Sequence, residues 1–183
     1  MHVSLDGYMA GPKGEMDWII YDKELEATVT DLRKNADATV YGRNTYQMME
    51  YYWPSVLKNP DSPANQMEYA QWVDKKLKVV VSRSLDSVTW NNTKLITENL
   101  AEEINRLKKG LNGDLLLIGS AQLTHSLLKL GLIDEFRINL NPVLIGNGIP
   151  LFKDVKEGTK IKLVTATKLN SGVVVMHYEK TTG

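Results

Sequence analysis

The sequence contains no cysteine. That removes disulfides, thiolate metal ligands and cysteine nucleophiles together. Histidine is scarce as well: His2, His125 and His177 stand far apart along the chain, so no metal site is expected. Neither sign of charge is in excess, with 22 Lys plus Arg against 22 Asp plus Glu. Nothing therefore draws the protein toward nucleic acid or an anionic membrane surface, and neither is expected as a partner. No apolar run approaches the roughly 18 residues of a membrane-spanning helix, and no basic segment followed by an apolar stretch opens the chain. A cytoplasmic protein is expected. Internal repeats and low-complexity segments are also missing.

What is present fits one globular domain. With 183 residues and 43% hydrophobic content, the chain can bury a core without disulfides or a structural metal, and a single domain over residues 1–183 is expected. Short, apolar, β-branched runs at 38–41, 78–81, 115–118, 136–140 and 173–178 read as strands. Between them, 24–35, 100–109 and 122–130 place leucine, isoleucine and valine at helical spacing. Asn170-Ser171-Gly172 separates the β-rich runs 160–168 and 173–180 and predicts a hairpin. The pattern predicts an α/β fold with a mixed, mostly parallel central sheet that ends in an antiparallel hairpin. A plain doubly wound nucleotide-binding fold is not expected, because no Gly-x-Gly-x-x-Gly is present. The stretch 51–64, with three prolines and three aromatics, reads as a loop that walls or covers a pocket.

Four segments carry residues suited to chemistry. In the first, the strand ending at Gly42 runs into a helix start near Asn44 or Thr45, with Arg43 between. Backbone N–H groups at such a turn favour an anion, and an arginine adds a bidentate phosphate contact. The same residues also describe an ordinary strand–helix turn capped by Asn or Thr. In the second, an apolar strand enters Gly119-Ser120-Ala121-Gln122, a small-residue turn able to pass under a pyrophosphate. In the third, Ser82 and Arg83 leave a core strand, either as a phosphate site or as a polar strand exit. The fourth runs from Val3 to Trp18 and holds Asp6 and Asp17; with Glu26 these are the carboxylates that would serve as proton donor or substrate anchor if burial raises their pKa.

The order of these motifs resembles the dihydrofolate-reductase-like family, in its branch containing the C-terminal reductase domain of the riboflavin-biosynthesis protein RibD. The likeness rests on residues 4–10, 41–46, and 130–136 leading into Asn141-Pro-Val-Leu-Ile-Gly-Asn-Gly-Ile-Pro-Leu-Phe152. The resemblance implies a three-layer α/β/α fold, NADPH as hydride donor and a homodimer. Gly42, Arg43, Asn44 and Thr45 would hold cofactor phosphates, and Ser82 and Arg83 the adenosine 2′-phosphate. Gly119, Ser120, Ala121 and Gln122 would pass beneath the pyrophosphate and nicotinamide, with Ala10 and Gly11 lining the nicotinamide side and residues 14–18 as a flap.

The substrate expected from this resemblance is a small pyrimidine or pteridine. The nearest activity is that of a 5-amino-6-(5-phosphoribosylamino)uracil reductase. Asp6 or Glu26 would supply a proton, Tyr46 and Trp53 would stack on the ring, and Asp17 and Trp18 would line the substrate side. A dihydrofolate reductase proper and a non-catalytic NADP-binding sensor are the alternatives. The chain departs from the family pattern at Gly119-Ser120, where two glycines are usual. It also departs in a short first strand, and at Glu26, which an ungapped count rather than a matching helix places.

Overall fold

The structure is a computed structural model that describes residues 1–153, 155 and 159–181. It is of the mixed α/β class expected from the sequence, and the chain divides into two compact units.

One unit comprises Asn35–Leu123. Its four strands, β3 (Ala36–Gly42), β4 (Leu77–Val81), β5 (Thr93–Ile96) and β6 (Asp114–Leu117), pair parallel in the order β5-β4-β3-β6. β3 is buried along nearly its whole length, as a continuous apolar central strand should be. Helices α2 (Arg43–Lys58), α3 (Ala64–Lys75) and α4 (Leu100–Gly110) connect the strands. Tyr41, Tyr46, Val73, Val80 and Trp90 form the centre of its core, with Trp53, Tyr69 and Trp72 packed against them.

The expected loop at 51–64 is largely helix, because α2 continues to Lys58. Pro54 lies inside it and removes one backbone donor, a substitution normally costly in a helix interior. Aromatic packing offsets that loss. Trp53 meets Tyr52 edge-on at 4.9 Å and Tyr69 of α3 at 4.2 Å between ring centroids.

The other unit comprises Met1–Lys34 and Thr124–Gly183. Strands β1 (His2–Ser4), β7 (Glu135–Asn141), β9 (Ile161–Lys168) and β10 (Val174–Lys180) pair in the order β1-β7-β10-β9. β1 is parallel to β7, whereas β10 is antiparallel to both β7 and β9. The expected hairpin is therefore present: Leu169 N donates to Val173 O at 2.8 Å, and Gly172 turns the chain at φ +87°. Val164 has no partner on β10 and forms a bulge opposite His177 and Tyr178. A two-stranded ribbon joins β2 (Tyr8–Ala10) to β8 (Ile149–Pro150). Helix α1 (Lys23–Lys34) buries Leu25 against Leu169 and Val173, and α5 (Ala121–Lys129) links the two units along the chain.

Candidate functional site

The strand β3 ends on Gly42, which serves as N-cap of α2 at φ −80° and ψ 166°. No side chain caps this helix. The expected cap by Asn44 or Thr45 is corrected: both lie inside the helix, whose N–H groups start one residue earlier. An uncapped helix start behind a buried strand presents donors and the positive dipole end to an anion.

The second turn packs directly on the first. A Cβ added to Gly42 would stand 2.1 Å from Ser120 Oγ and 3.2 Å from Ser120 Cβ, and one added to Gly119 would stand 3.3 Å from Thr45 Cγ2. Both Gly119 (φ +62°) and Ser120 (φ +65°) are left-handed. Ser120 therefore adopts the backbone that a second glycine would take, at a cost of about 1–2 kcal/mol. Ala121 and Gln122 begin α5 immediately after.

The third segment joins the same rim. β3 and β4 are neighbours with Gly42 opposite Val81, so the residues after each strand emerge side by side. The Arg43 guanidinium donates to Ser84 Oγ at 2.7 Å and to Asn44 Oδ1 at 3.3 Å. Arg43 and Arg83 are both exposed. Ser82 is buried, and its hydroxyl accepts from Ser84 N and Leu85 N at 3.1 and 3.2 Å, which occupies it in closing the turn. Ser84, which the sequence offers only as the last residue of Ser82-Arg83-Ser84, is the partner that holds Arg43 at this rim.

Two expected site residues have other roles. Tyr46 is only 1% exposed, so it has no ring face open to a substrate. Its hydroxyl donates to Glu50 Oε1 at 2.7 Å and accepts from Trp90 N at 3.2 Å. Burial pushes the Glu50 pKa up, but hydrogen bonds from Thr89, Tyr46 and the Trp90 amide outweigh it and hold the carboxylate below its ordinary range. Trp53 is half-buried in the aromatic cluster and donates to Met49 Sδ at 2.8 Å.

In the other unit, the Asp6 carboxylate accepts hydrogen bonds from Ser4, Ile145 and Gly146. Its Oδ1 accepts from Ser4 Oγ at 2.6 Å, and its Oδ2 from Gly146 N at 2.7 Å and Ile145 N at 3.2 Å. The Ser4 hydroxyl first, and then the two amides, hold its pKa below the usual carboxylate value. The expectation of a proton donor with a raised pKa is corrected accordingly. Asp6→Asn is expected to loosen the turn around Gly146 and lower the thermal midpoint, which parallel melting curves check.

Ala10 and Gly11 are buried beside the 11–18 loop, where Gly11 N donates to Glu15 O at 2.8 Å and Lys13 N to Glu15 Oε2 at 2.8 Å. Asp17 is exposed, and the half-buried Trp18 donates its indole N–H to Glu15 O at 3.2 Å. Glu26 lies half-buried on α1.

The family described as "RibD C-terminal domain" matches residues 1–175 of this chain. The chain belongs to the RibD C-terminal domain family. Its relatives include YyaP of Bacillus subtilis (strain 168), described as an uncharacterized protein, 39% identical over 176 residues that cover 96% of this chain and 90% of YyaP. A Shewanella sp. PV-4 structure, provisionally described as a riboflavin biosynthesis protein, superposes with TM-score 0.76 at 25% identity over 100% of this chain and 97% of its own. Dihydrofolate reductase from Enterococcus faecalis, solved with NADP(H), gives TM-score 0.63 at 13% identity over 99% of this chain and 94% of its own. The RibD-type chain described here therefore has the dihydrofolate-reductase-like fold.

Proposed function

We propose that the chain is an NADPH-dependent reductase that delivers a hydride to a C=N or C=O bond of a small heterocycle. The reaction is most like that of a 5-amino-6-(5-phosphoribosylamino)uracil reductase. One observation carries this reading: the uncapped N-terminus of α2 at Gly42 abuts the left-handed Gly119-Ser120 turn, so closely that a Cβ on Gly42 would run into Ser120. A cradle built of two adjacent backbone turns fits a pyrophosphate.

NADPH, when bound, supplies the hydride, so this chain's residues have binding and positioning to do. The N–H groups of Arg43, Asn44 and Thr45 bind phosphate oxygens, and residues 119–122 carry the ligand past the start of α5. Arg43, Arg83 and Ser84 take the 2′-phosphate in place of the assigned pair Ser82 and Arg83. Ala10 and Gly11 serve the nicotinamide, Asp17 and Trp18 the substrate, and Glu26 is the carboxyl retained for proton supply. The family match runs through both compact units, which supports reading residues 1–183 as one working domain, and a cytoplasmic location is part of the proposal. Among the described residues, no helix is long and apolar enough to cross a membrane. A homodimer is part of the proposal: the edge strand β9 exposes Leu163 and Val164, and such an edge invites pairing. Sedimentation reads that state directly.

The cofactor assignment is tested by Arg43→Gln. The variant is expected to weaken NADPH binding by about tenfold, equivalent to about 1.4 kcal/mol, and to leave NADH binding nearly unchanged. Equal losses for both dinucleotides would remove Arg43 from the 2′-phosphate. Consumption of NADPH with a panel of aminopyrimidines and pterins tests the reaction itself.

A further inference from the structure

The antiparallel pairing of β7 with β10 sets Glu135 directly opposite Glu179, and His177 follows two residues away on the same face of β10. One ligand atom from each of the three side chains lies within 4.8 Å of the others. His177 Nε2 is 2.9 Å from Glu135 Oε2 and 3.9 Å from Glu179 Oε1.

His177 is 8% exposed, and its Nε2, sealed from solvent, makes no hydrogen bond among the described residues although Glu135 stands within ion-pair distance. A buried polar nitrogen left in that state is costly. Carboxylates directly opposite on neighbouring strands also repel. A cation seated between the three groups satisfies the nitrogen and neutralises the pair.

We propose that Glu135, His177 and Glu179 form a binding site for a divalent transition-metal ion. One imidazole and two carboxylates match Zn²⁺, which takes nitrogen and oxygen ligands at about 2.0–2.2 Å. Atoms already within 4.8 Å of one another are close enough to share one such ion. Three protein ligands leave a fourth position open to water. Bound there, the ion ties β7 to β10 beside the Val164 bulge as a structural cross-link. Arg137, opposite His177, donates Nη2 to Glu135 Oε2 at 2.9 Å, so the ion competes with a guanidinium for that oxygen. Affinity is therefore expected to fall below that of a closed structural zinc site.

The test uses chelator-stripped full-length protein titrated with Zn²⁺ by calorimetry, with Co²⁺ absorption as the spectroscopic probe. Wild type is expected to bind one ion saturably and to gain thermal stability from it. His177→Gln and Glu179→Gln should each lose affinity by more than the roughly 10- to 100-fold typical of removing an outer-shell partner. Glu179 is exposed, so its variant keeps the fold if His177→Gln does not, as metal-free melting will show. His125 sits apart, with Nε2 at 3.2 Å from Pro150 O, and His125→Gln should bind like wild type. No saturable Zn²⁺ binding by wild type, or binding undiminished in Glu179→Gln, would overturn the proposal.

Discussion

Gly42→Ala is expected to weaken NADPH binding by more than about tenfold, or about 1.4 kcal/mol, and to lower stability by about 1–3 kcal/mol. The reason is contact and not backbone strain. At φ −80° and ψ 166° any residue can occupy position 42. The added methyl would instead lie 2.1 Å from Ser120 Oγ and 3.2 Å from Ser120 Cβ. The contact with Cβ cannot be relieved without moving the Gly119-Ser120 turn, which is the other half of the proposed cradle. Pairing the change with Ser120→Gly separates the effects. The double variant should recover stability, because both the clash and the left-handed serine are gone, yet affinity should stay low if the pyrophosphate approaches position 42. Full recovery of affinity would mean that Gly42 serves packing alone. Melting curves and NADPH titrations on the three proteins read both quantities.

Lys78→Met is expected to lower stability most at high pH, where the neutral amine still pairs buried carbonyls that methionine leaves bare, a loss of about 1–3 kcal/mol against the roughly 5–15 kcal/mol typical of a domain. Lys78 is a central-strand residue with 0% exposure. Its ammonium donates to the carbonyls of Val73, Asp74 and Lys76 at 3.0, 3.1 and 2.9 Å, closing the C-terminal end of α3. It also lies 4.7 Å from the centroid of Trp90, a cation–π contact. Methionine keeps the volume and abandons the carbonyls.

Stability at this residue depends on pH in a definite direction. Burial pulls the Lys78 pKa from 10.5 down to about 8. Between those values the unfolded chain holds a proton that the folded chain has released, so raising the pH stabilises the fold through that window. Below pH 8 both states are charged, and the whole cost of burying the ammonium is carried. The stability difference between wild type and Lys78→Met should therefore shift in favour of wild type from pH 8 to 10.5, with a slope of at most about 1.4 kcal/mol per pH unit. Denaturant titrations at stepped pH measure it, and a flat difference would show that Lys78 does not titrate in that window.

Legibility in the sequence followed the range of the interactions. The run Thr39-Val40-Tyr41-Gly42 declares a buried strand and its end, and the β3–α2 turn was readable to within a residue. The terminal hairpin was readable because Asn170-Ser171-Gly172 carries its own turn chemistry. Tyr46 was misread because its burial depends on Thr89 and Trp90, more than forty residues away, closing over its hydroxyl. The three prolines of 51–64 argue for a loop on local grounds, whereas α2 runs through Pro54 with Trp53 packed against Tyr69 of α3. Asp6 sits in a turn whose partner amides come from Ile145 and Gly146, so the direction of its pKa shift could not be inferred locally. The Glu135, His177 and Glu179 cluster exists only through strand register. Three histidines far apart in sequence gave no hint of it.

The most direct test of the central claim is calorimetric titration of the purified full-length protein with NADPH, beside Gly42→Ala and Arg43→Gln. Saturable one-to-one binding by wild type at micromolar or lower concentration, weakened in both variants, is the expected result. Absence of saturable binding by a folded wild-type protein, or affinity untouched by both substitutions, would contradict a dinucleotide site at the Gly42 and Gly119 turns.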